Sequence, residues 1–172
     1  IVDGTVVNWT SVASNTQVTY TFETPLSEAA HNIVVEAMDE GGNRTNSSVL
    51  LLYVDDTVPV ATITSPLSVN VSSTTPTLVF NLTDNVDLAI DYNVIIDGVS
   101  VNASTATNGS DVTYTLEVAL SEGTHNITIE GLDNSSKRAN SSVLILTVDN
   151  TVPVANLILP ADETWTTSTT PT

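Results

Sequence analysis

Closely spaced acidic side chains are the residues of this sequence that could do chemistry by holding a metal ion. Ca²⁺ takes about six to eight oxygen ligands. Residues 84–87 (Asp-Asn-Val-Asp) place several such oxygens in what reads as a loop between two strands. The alternative is a set of solvated loops, in which Asp and Asn hydrogen-bond their own turns. The candidate calcium ligands are Asp55, Asp56, Asp84, Asp87 and Asp149.

Two histidines could act as acids, bases or metal ligands. Neither His31 nor His125 has a Cys, a second His or a repeated acid at the spacing of a metal site. We therefore expect both to be turn residues packed at the edge of the fold. No Ser lies in a Gly-x-Ser-x-Gly elbow beside an identifiable base. The sequence predicts no catalytic residue, no cofactor apart from the candidate calcium, and a protein that is not an enzyme.

Acceptor sequences for N-glycosylation, Asn-x-Ser/Thr, are dense. Alternation along the strands predicts that Asn81 and Asn126 point outward, which would leave them accessible. The alternative is that polar, Thr-rich strand surfaces generate such triplets by chance. We expect covalent N-glycans and hence an extracellular, cell-surface location. The acceptors are Asn8, Asn43, Asn46, Asn70, Asn81, Asn102, Asn108, Asn126, Asn134 and Asn140.

Composition excludes several classes of partner. The formal net charge is -17 with 3 basic residues, so the chain cannot neutralise a run of phosphates, and nucleic acid is excluded as a partner. The longest apolar run, at residues 49–54, is too short to insert into a membrane. The absence of Cys rules out disulfides and thiolate chemistry. The apolar fraction of 41% is nevertheless that of a folded protein.

An internal repeat organises the chain. A shift of 94 positions lays residues 2–65 on residues 96–159 without a gap, placing Asp3 on Asp97 and His31 on His125. Roughly half of the aligned residues are identical. We divide the chain into the C-terminal part of one repeat (1–56), a complete repeat (57–150) and the start of a further repeat (151–172).

The apolar residues of the repeat recur with period two, which predicts strands with one buried face. Asp97-Gly98 and Asn108-Gly109 are typical of tight hairpins, and residues 121–123 of a third turn. Seven short strands in about 95 residues predict an all-β fold, a β-sandwich of immunoglobulin-like size. The strands are expected near 60–65, 77–83, 91–96, 99–102, 111–118, 124–132 and 142–148.

Two motifs carry a family resemblance. The first is Asp-Glu-Gly-Gly-Asn at residues 39–43, and the second is Val-Asp-Asp-Thr-Val-Pro at residues 54–59. The second copy matches the junction at residues 148–153 but lacks the glycines at residues 133–137. With these motifs the chain resembles the tandem bacterial Ig-like and fibronectin-III-like repeats of large secreted adhesins and archaeal surface proteins of S-layers or filaments. The resemblance implies spacers or binding units, and fold alone does not choose between them.

The expected function is structural. Glycosylated repeats would join head to tail, with copies of the chain or neighbouring repeats as partners, to form a filament, sheath, stalk or S-layer-type assembly. Strand addition by residues 152–172 to the next subunit is one way to join them. The alternative is an adhesin or carbohydrate-binding module, since an exposed Trp9 or Trp165 could stack on sugar rings. Trp9 aligns with Ala103 in the other copy, so the indole is not repeated. The other explanation for Trp9 is a contact between neighbouring modules.

Overall fold

The computed structural model describes residues 1–67 and 69–156 together with residues 165, 167 and 169. Within these residues every regular element is a strand, and none forms a helix long and apolar enough to cross a membrane. The strands are β1 (Ala29–Ile33), β2 (Glu36–Met38), β3 (Arg44–Asn46), β4 (Leu50–Val54), β5 (Val60–Ser65), β6 (Asn70–Val71), β7 (Thr77–Thr83), β8 (Ala89–Ile96), β9 (Val99–Thr107), β10 (Asp111–Thr115), β11 (Gly123–Leu132), β12 (Arg138–Asn140) and β13 (Leu144–Val148).

The strands from β5 to β13 form two sheets that share one core. The smaller sheet has the order β10-β7-β5, and the larger has the order β6-β13-β11-β8-β9, with β12 also paired to β11. All pairs are antiparallel except β6 with β13. This arrangement confirms the predicted all-β, immunoglobulin-like sandwich.

Alternate residues of each strand fill the core, as the period of two predicts. In β7, Leu78, Phe80 and Leu82 are fully buried, whereas Thr77 and Thr83 at its ends are exposed. The two sheets meet through an edge-to-face contact of Phe80 and Tyr92, whose ring centroids lie 5.0 Å apart. The buried cluster consists of Ala61, Leu78, Phe80, Leu82, Ile90, Tyr92, Val94, Ile96, Ala106, Leu116, Ile127, Ile129 and Leu146.

Several sequence predictions of strands and turns are confirmed and others are wrong. β5 and β7 have the predicted bounds, and Asp97-Gly98 forms the hairpin between β8 and β9 with φ angles of 50° and 81°. Asn108-Gly109 does not form a hairpin, because β9 and β10 belong to different sheets and the turn carries the chain across the sandwich. Residues 121–123 likewise cross between sheets. The short strands β6 and β12 have no counterpart in the prediction.

Residues 1–54 repeat part of this pairing. β1 pairs with β4 and β2 with β3, just as β11 pairs with β13 and with β12. In the complete sandwich the equivalent face of β11 is covered by β5 and β7, and Ile129 is fully buried. Among the described residues before the joint no strand covers this face, so Val35, which aligns with Ile129, is 67% exposed. The open face lines a cavity of about 480 Å³.

The joint between the two units, residues 55–59, is fixed by polar contacts and by one proline. Thr57 Oγ1 donates a hydrogen bond to Glu28 Oε2 at a distance of 2.5 Å, and the side-chain amide of Asn85 donates to the same oxygen. Lys137 Nζ donates to the carbonyl oxygen of Asp56 over 2.8 Å and to its carboxylate. Pro59 is fully buried. The joint thus connects residues 1–54 to two loops of the sandwich.

The predicted further repeat, 151–172, falls largely on residues outside the described part of the chain, namely 157–164, 166, 168 and 170–172. The prediction that residues 152–172 add a strand to a neighbouring subunit therefore stays a prediction. Within the described residues, Pro153 is exposed, in contrast to its equivalent Pro59.

Candidate functional site

Three aspartates from distant segments meet beside the joint. Asp55 belongs to the joint, Asp87 to the loop between β7 and β8, and Asp133 to the loop between β11 and β12. One carboxylate oxygen from each lies within 4.8 Å of the others, and Asp87 and Asp133 are buried. We call these three residues the acidic cluster. It brings together two of the predicted ligands, Asp55 and Asp87, with a third, Asp133, that the sequence analysis missed.

Hydrogen bonds hold two of these carboxylates in place. Both oxygens of Asp87 accept from Asn134, one from its backbone nitrogen at 2.7 Å and the other from its side-chain amide at 2.9 Å. Asp133 Oδ1 accepts from the backbone nitrogen of Lys137 at 2.7 Å and from the hydroxyl of Ser135 at 2.9 Å. The loop between β11 and β12 therefore orients both carboxylates towards each other.

Two oxygens of the cluster have no hydrogen-bond partner, whereas Asp55 Oδ1 accepts from the backbone nitrogen of Thr57 at 3.2 Å. Asp55 Oδ2 and Asp133 Oδ2 are both buried and unpaired, and Asp133 is only 5% exposed. A buried carboxylate oxygen without a donor loses its hydration and gains nothing in exchange. Such atoms are the ones that a bound cation would coordinate.

A solvent-facing cavity gives access to the cluster. It has a volume of about 400 Å³ and is lined by Asp55 and Asp87, by Asn134 and Ser135 on one side, and by Tyr53. A cation with several of its water molecules fits into such a volume, because one water needs about 30 Å³.

The other predicted calcium ligands have different roles. Asp84 caps its own loop, since its Oδ1 accepts from the backbone nitrogens of Val86 and Asp87, while its Oδ2 is buried and unpaired. Asp56 pairs with Lys137, and this bond lowers the pKa of Asp56 and raises that of Lys137. Asp149, the equivalent of Asp55, is exposed and accepts from the backbone nitrogen of Thr151 at 3.1 Å.

The loop that carries Asp133 keeps its backbone shape without glycine. Ser136 has a φ of 72°, close to the 84° of Gly42 at the equivalent position of the first copy. The backbone nitrogen of Ser136 donates to the carbonyl oxygen of Asp133 at 3.2 Å, and that of Gly42 donates to the carbonyl oxygen of Asp39 at 3.1 Å. A left-handed serine costs roughly 1 kcal/mol, so this turn is maintained at some expense in stability.

Both histidines are buried members of an ion pair. His125 Nδ1 lies 2.7 Å from Asp97 Oδ2 and its Nε2 lies 3.0 Å from the carbonyl oxygen of Ser121. Because both partners are acceptors, both ring nitrogens must carry protons. The hydrogen bond to Asp97 and that to Ser121 raise the pKa of His125, and His125 lowers the pKa of Asp97.

The first copy has the same arrangement. His31 contacts Asp3 Oδ2 at 2.8 Å and the carbonyl oxygen of Ser27 at 2.9 Å, and its pKa is raised. The expectation that these histidines lie in turns at the sandwich edge is wrong, since each is buried within a strand, β1 or β11. The sequence did contain a signal for this ion pair, because the Asp of an Asp-Gly pair precedes each His by the same 28 residues.

The glycosylation acceptors differ in exposure. Seven are exposed, and Asn81, Asn102 and Asn108 are partly buried. Asn108 Nδ2, the atom that a glycan would modify, donates to the carbonyl oxygens of Asp84 and Asp87. Asn126 is exposed between buried His125 and Ile127, as the alternation predicted.

The two indoles have different surroundings. Trp9 is 54% exposed, and the guanidinium of Arg44 lies 5.5 Å from its ring centroid, within the range of a cation–π contact. Trp165 is 98% exposed. Both could therefore reach a ligand in solvent.

Comparison with known proteins gives one family. The model of the family described as "Bacterial Ig-like domain (group 3)" matches residues 14–117, which is more than half of the chain and crosses the predicted boundary at residues 56 and 57. The search of the curated proteins found no match. Among solved structures, the chain is similar to the fibronectin(III)-like modules of Clostridium thermocellum CbhA, with 21% identity and a TM-score of 0.44. The match covers 69% of this chain and 62% of that one, which is less than two thirds of its length.

Proposed function

Since the chain belongs to the bacterial Ig-like domain family of group 3, we propose that it is a non-enzymatic structural part of an extracellular surface protein. In this proposal its repeats join head to tail in a filament, sheath, stalk or S-layer-type assembly, and N-glycans coat them. The function requires only that each repeat is stable and that each joint has a defined direction.

The repetition of the contacts at the joint is the observation that carries this proposal. Thr57 Oγ1 donates to the carboxylate of Glu28 in the first copy, and Thr151 Oγ1 donates to that of Glu122 in the second, each at a distance of 2.5 Å. The hydrogen bond from Thr57 and that from Asn85 lower the pKa of Glu28. A hydrogen bond that recurs at the same place after each repeat favours a spacer, in which length increases by a fixed step with each repeat.

Charge and surface chemistry support an extracellular location. The net charge of -17 makes neighbouring surfaces repel each other, which keeps an exposed assembly soluble. Seven of the ten glycosylation acceptors are exposed. Domains of this fold are widespread in extracellular proteins, and a stalk needs no further binding site.

Small-angle X-ray scattering of the chain tests the fixed joint. We expect one extended shape, whose distribution of interatomic distances broadens in Glu28→Ala because the joint loses its acceptor. Glu23→Ala, which removes an exposed acid elsewhere in residues 1–54, is the control and should leave the distribution unchanged. A parent chain that already samples many relative orientations would refute the spacer role.

A binding module is the second candidate function, favoured by the exposed indoles of Trp9 and Trp165. A glycan array distinguishes the two. Binding that is lost in Trp9→Ala or Trp165→Ala would identify an adhesin or carbohydrate-binding module, whereas a spacer should bind no glycan on the array.

A further inference from the structure

We propose that the acidic cluster, Asp55, Asp87 and Asp133, binds one calcium ion and that this ion ties the joint to the sandwich. The inference does not depend on the spacer role, because it rests on the geometry of the three carboxylates alone. It adds Asp133 to the ligands that the sequence suggests and leaves out Asp56, Asp84 and Asp149.

The distances suit a calcium ion. One oxygen of each aspartate lies within 4.8 Å of the other two. Two oxygens on opposite sides of a Ca²⁺ ion are separated by about 4.8 Å, since each lies about 2.4 Å from the metal. All three oxygens can therefore contact a single ion placed between them.

The unpaired carboxylate oxygens also support a cation between these residues. Asp133 Oδ2 and Asp55 Oδ2 are buried without a donor, and Asp133 is more than nine-tenths buried. Lys137 is near enough to interact electrostatically with Asp55 and Asp133, but its ammonium donates to Asp56. The cluster thus brings three carboxylates together while the ammonium of Lys137 bonds to Asp56.

The ligand types select the metal. The cluster contains carboxylates only, with no His or Cys, and such a set prefers a hard cation over zinc or copper. Mg²⁺ demands a nearly ideal octahedron, whereas Ca²⁺ accepts irregular sets completed by water. The cavity of about 400 Å³ beside Asp55 and Asp87 leaves room for those waters. Ca²⁺ is therefore the ion that fits.

The three ligands come from three separate segments of the chain. Asp55 follows β4, whereas Asp87 and Asp133 stand at the ends of loops in the sandwich. An ion shared by them would resist both rotation at the joint and opening of the loops. The weak millimolar-range affinities of extracellular calcium modules set the expected strength, a Kd of about 10⁻⁴ to 10⁻³ M.

Terbium luminescence provides a direct test, because Tb³⁺ replaces Ca²⁺ and Tyr53 lines the same cavity. We expect Tb³⁺ to become luminescent on excitation of tyrosine and to be displaced by CaCl2 but not by an equal concentration of MgCl2. Tyr53→Phe should remove most of the luminescence while calorimetry still shows one Ca²⁺ bound per chain. Equal displacement by Mg²⁺ would overturn the assignment to calcium.

Isosteric variants test the ligands. Asp133→Asn and Asp55→Asn should each weaken Ca²⁺ binding at least tenfold in calorimetry, and Asp149→Asn, at the equivalent position of the second copy, should not. Because Asp133→Asn also relieves repulsion between carboxylates, we expect its Tm to exceed that of the parent chain in EGTA and to fall below it in excess CaCl2. This reversal requires a folded variant, so it separates lost binding from lost folding. A parent chain that binds no Ca²⁺, or variants that bind it unchanged, would overturn the proposal.

Discussion

The imidazole of His125 lies 2.7 Å from Asp97, with its Nδ1 facing Oδ2 and its other nitrogen facing a carbonyl oxygen. The protonated ring therefore donates to an acceptor on each side while it is buried within β11. Folding raises the pKa of His125 and lowers that of Asp97. The free energy of unfolding must then fall both at acidic pH, where Asp97 is protonated, and at alkaline pH, where His125 loses its proton.

The sign of this pH dependence follows from the directions of the two pKa shifts. The contribution of His125 is complete below the ordinary His pKa of about 6.5 and is lost as the pH rises through its raised value. The contribution of Asp97 is complete above the ordinary Asp pKa of about 3.9 and is lost as the pH falls through its lowered value. Urea unfolding should show a midpoint that declines above about pH 6.5, and His125→Ala should flatten this decline. A parent midpoint that rises from neutral to alkaline pH would contradict the ion pair.

Phe80 is the core residue whose loss should cost most. It is fully buried and contacts Tyr92 across the two sheets. We expect Phe80→Ala to lower the free energy of unfolding by about 3–5 kcal/mol, because a cavity remains where the ring was. Val118→Ala, at a position that is 76% exposed, should change it by less than about 0.5 kcal/mol. Chemical denaturation followed by circular dichroism measures both.

Gly131 should not tolerate even a methyl group. A Cβ at this position would lie 2.9 Å from Leu82 Cδ2 and 3.4 Å from Pro59 Cγ. We expect Gly131→Ala to lower the free energy of unfolding by about 1–3 kcal/mol through overpacking. The equivalent position in the first copy is Ala37, which is exposed. In a Leu82→Ala background the added cost of Gly131→Ala should largely vanish, and an unchanged cost would show that the contact with Leu82 is not its cause.

Glycopeptide mass spectrometry of the native protein tests the glycans site by site. Asn126 should carry a glycan, because it is exposed and points away from the core. Asn108 should not, because its amide nitrogen donates to two carbonyl oxygens of its own neighbourhood. Full occupancy at Asn108 would show that these two bonds form only in the unmodified chain, and bare asparagine at all ten acceptors would refute glycosylation.

Alternation of apolar residues predicted the central strands well, because β7 has one face fully in the core and β5 alternates buried or half-buried residues with exposed ones. β9 was predicted to end at residue 102 but continues to Thr107, since its exposed residues show no apolar period. β6 exists because Asn70 and Val71 pair with β13, a contact between distant segments that no local pattern contains. The strands that depend on their partners are thus the ones that the sequence did not predict.

The acidic cluster shows the same limit. Asp55 and Asp87 stand out because they lie in short acidic motifs, but Asp133 lies in a loop whose motif differs from that of the first copy. The three meet only when the joint and two loops of different strands fold together. Asp56 was an equal candidate in the sequence, and only the position of Lys137 assigns it to another bond.

The open face of residues 1–54 has a consequence for how the chain refolds. β1 and β4 present nearly the same apolar pattern as β11 and β13, with Ile33 in place of Ile127 and Leu52 in place of Leu146. The ribbon of β5 and β7 therefore has two receptive docking partners within one molecule. A chain that docks it on the earlier one is trapped until it detaches, so near-identity between successive modules carries a kinetic hazard that stability measurements do not reveal.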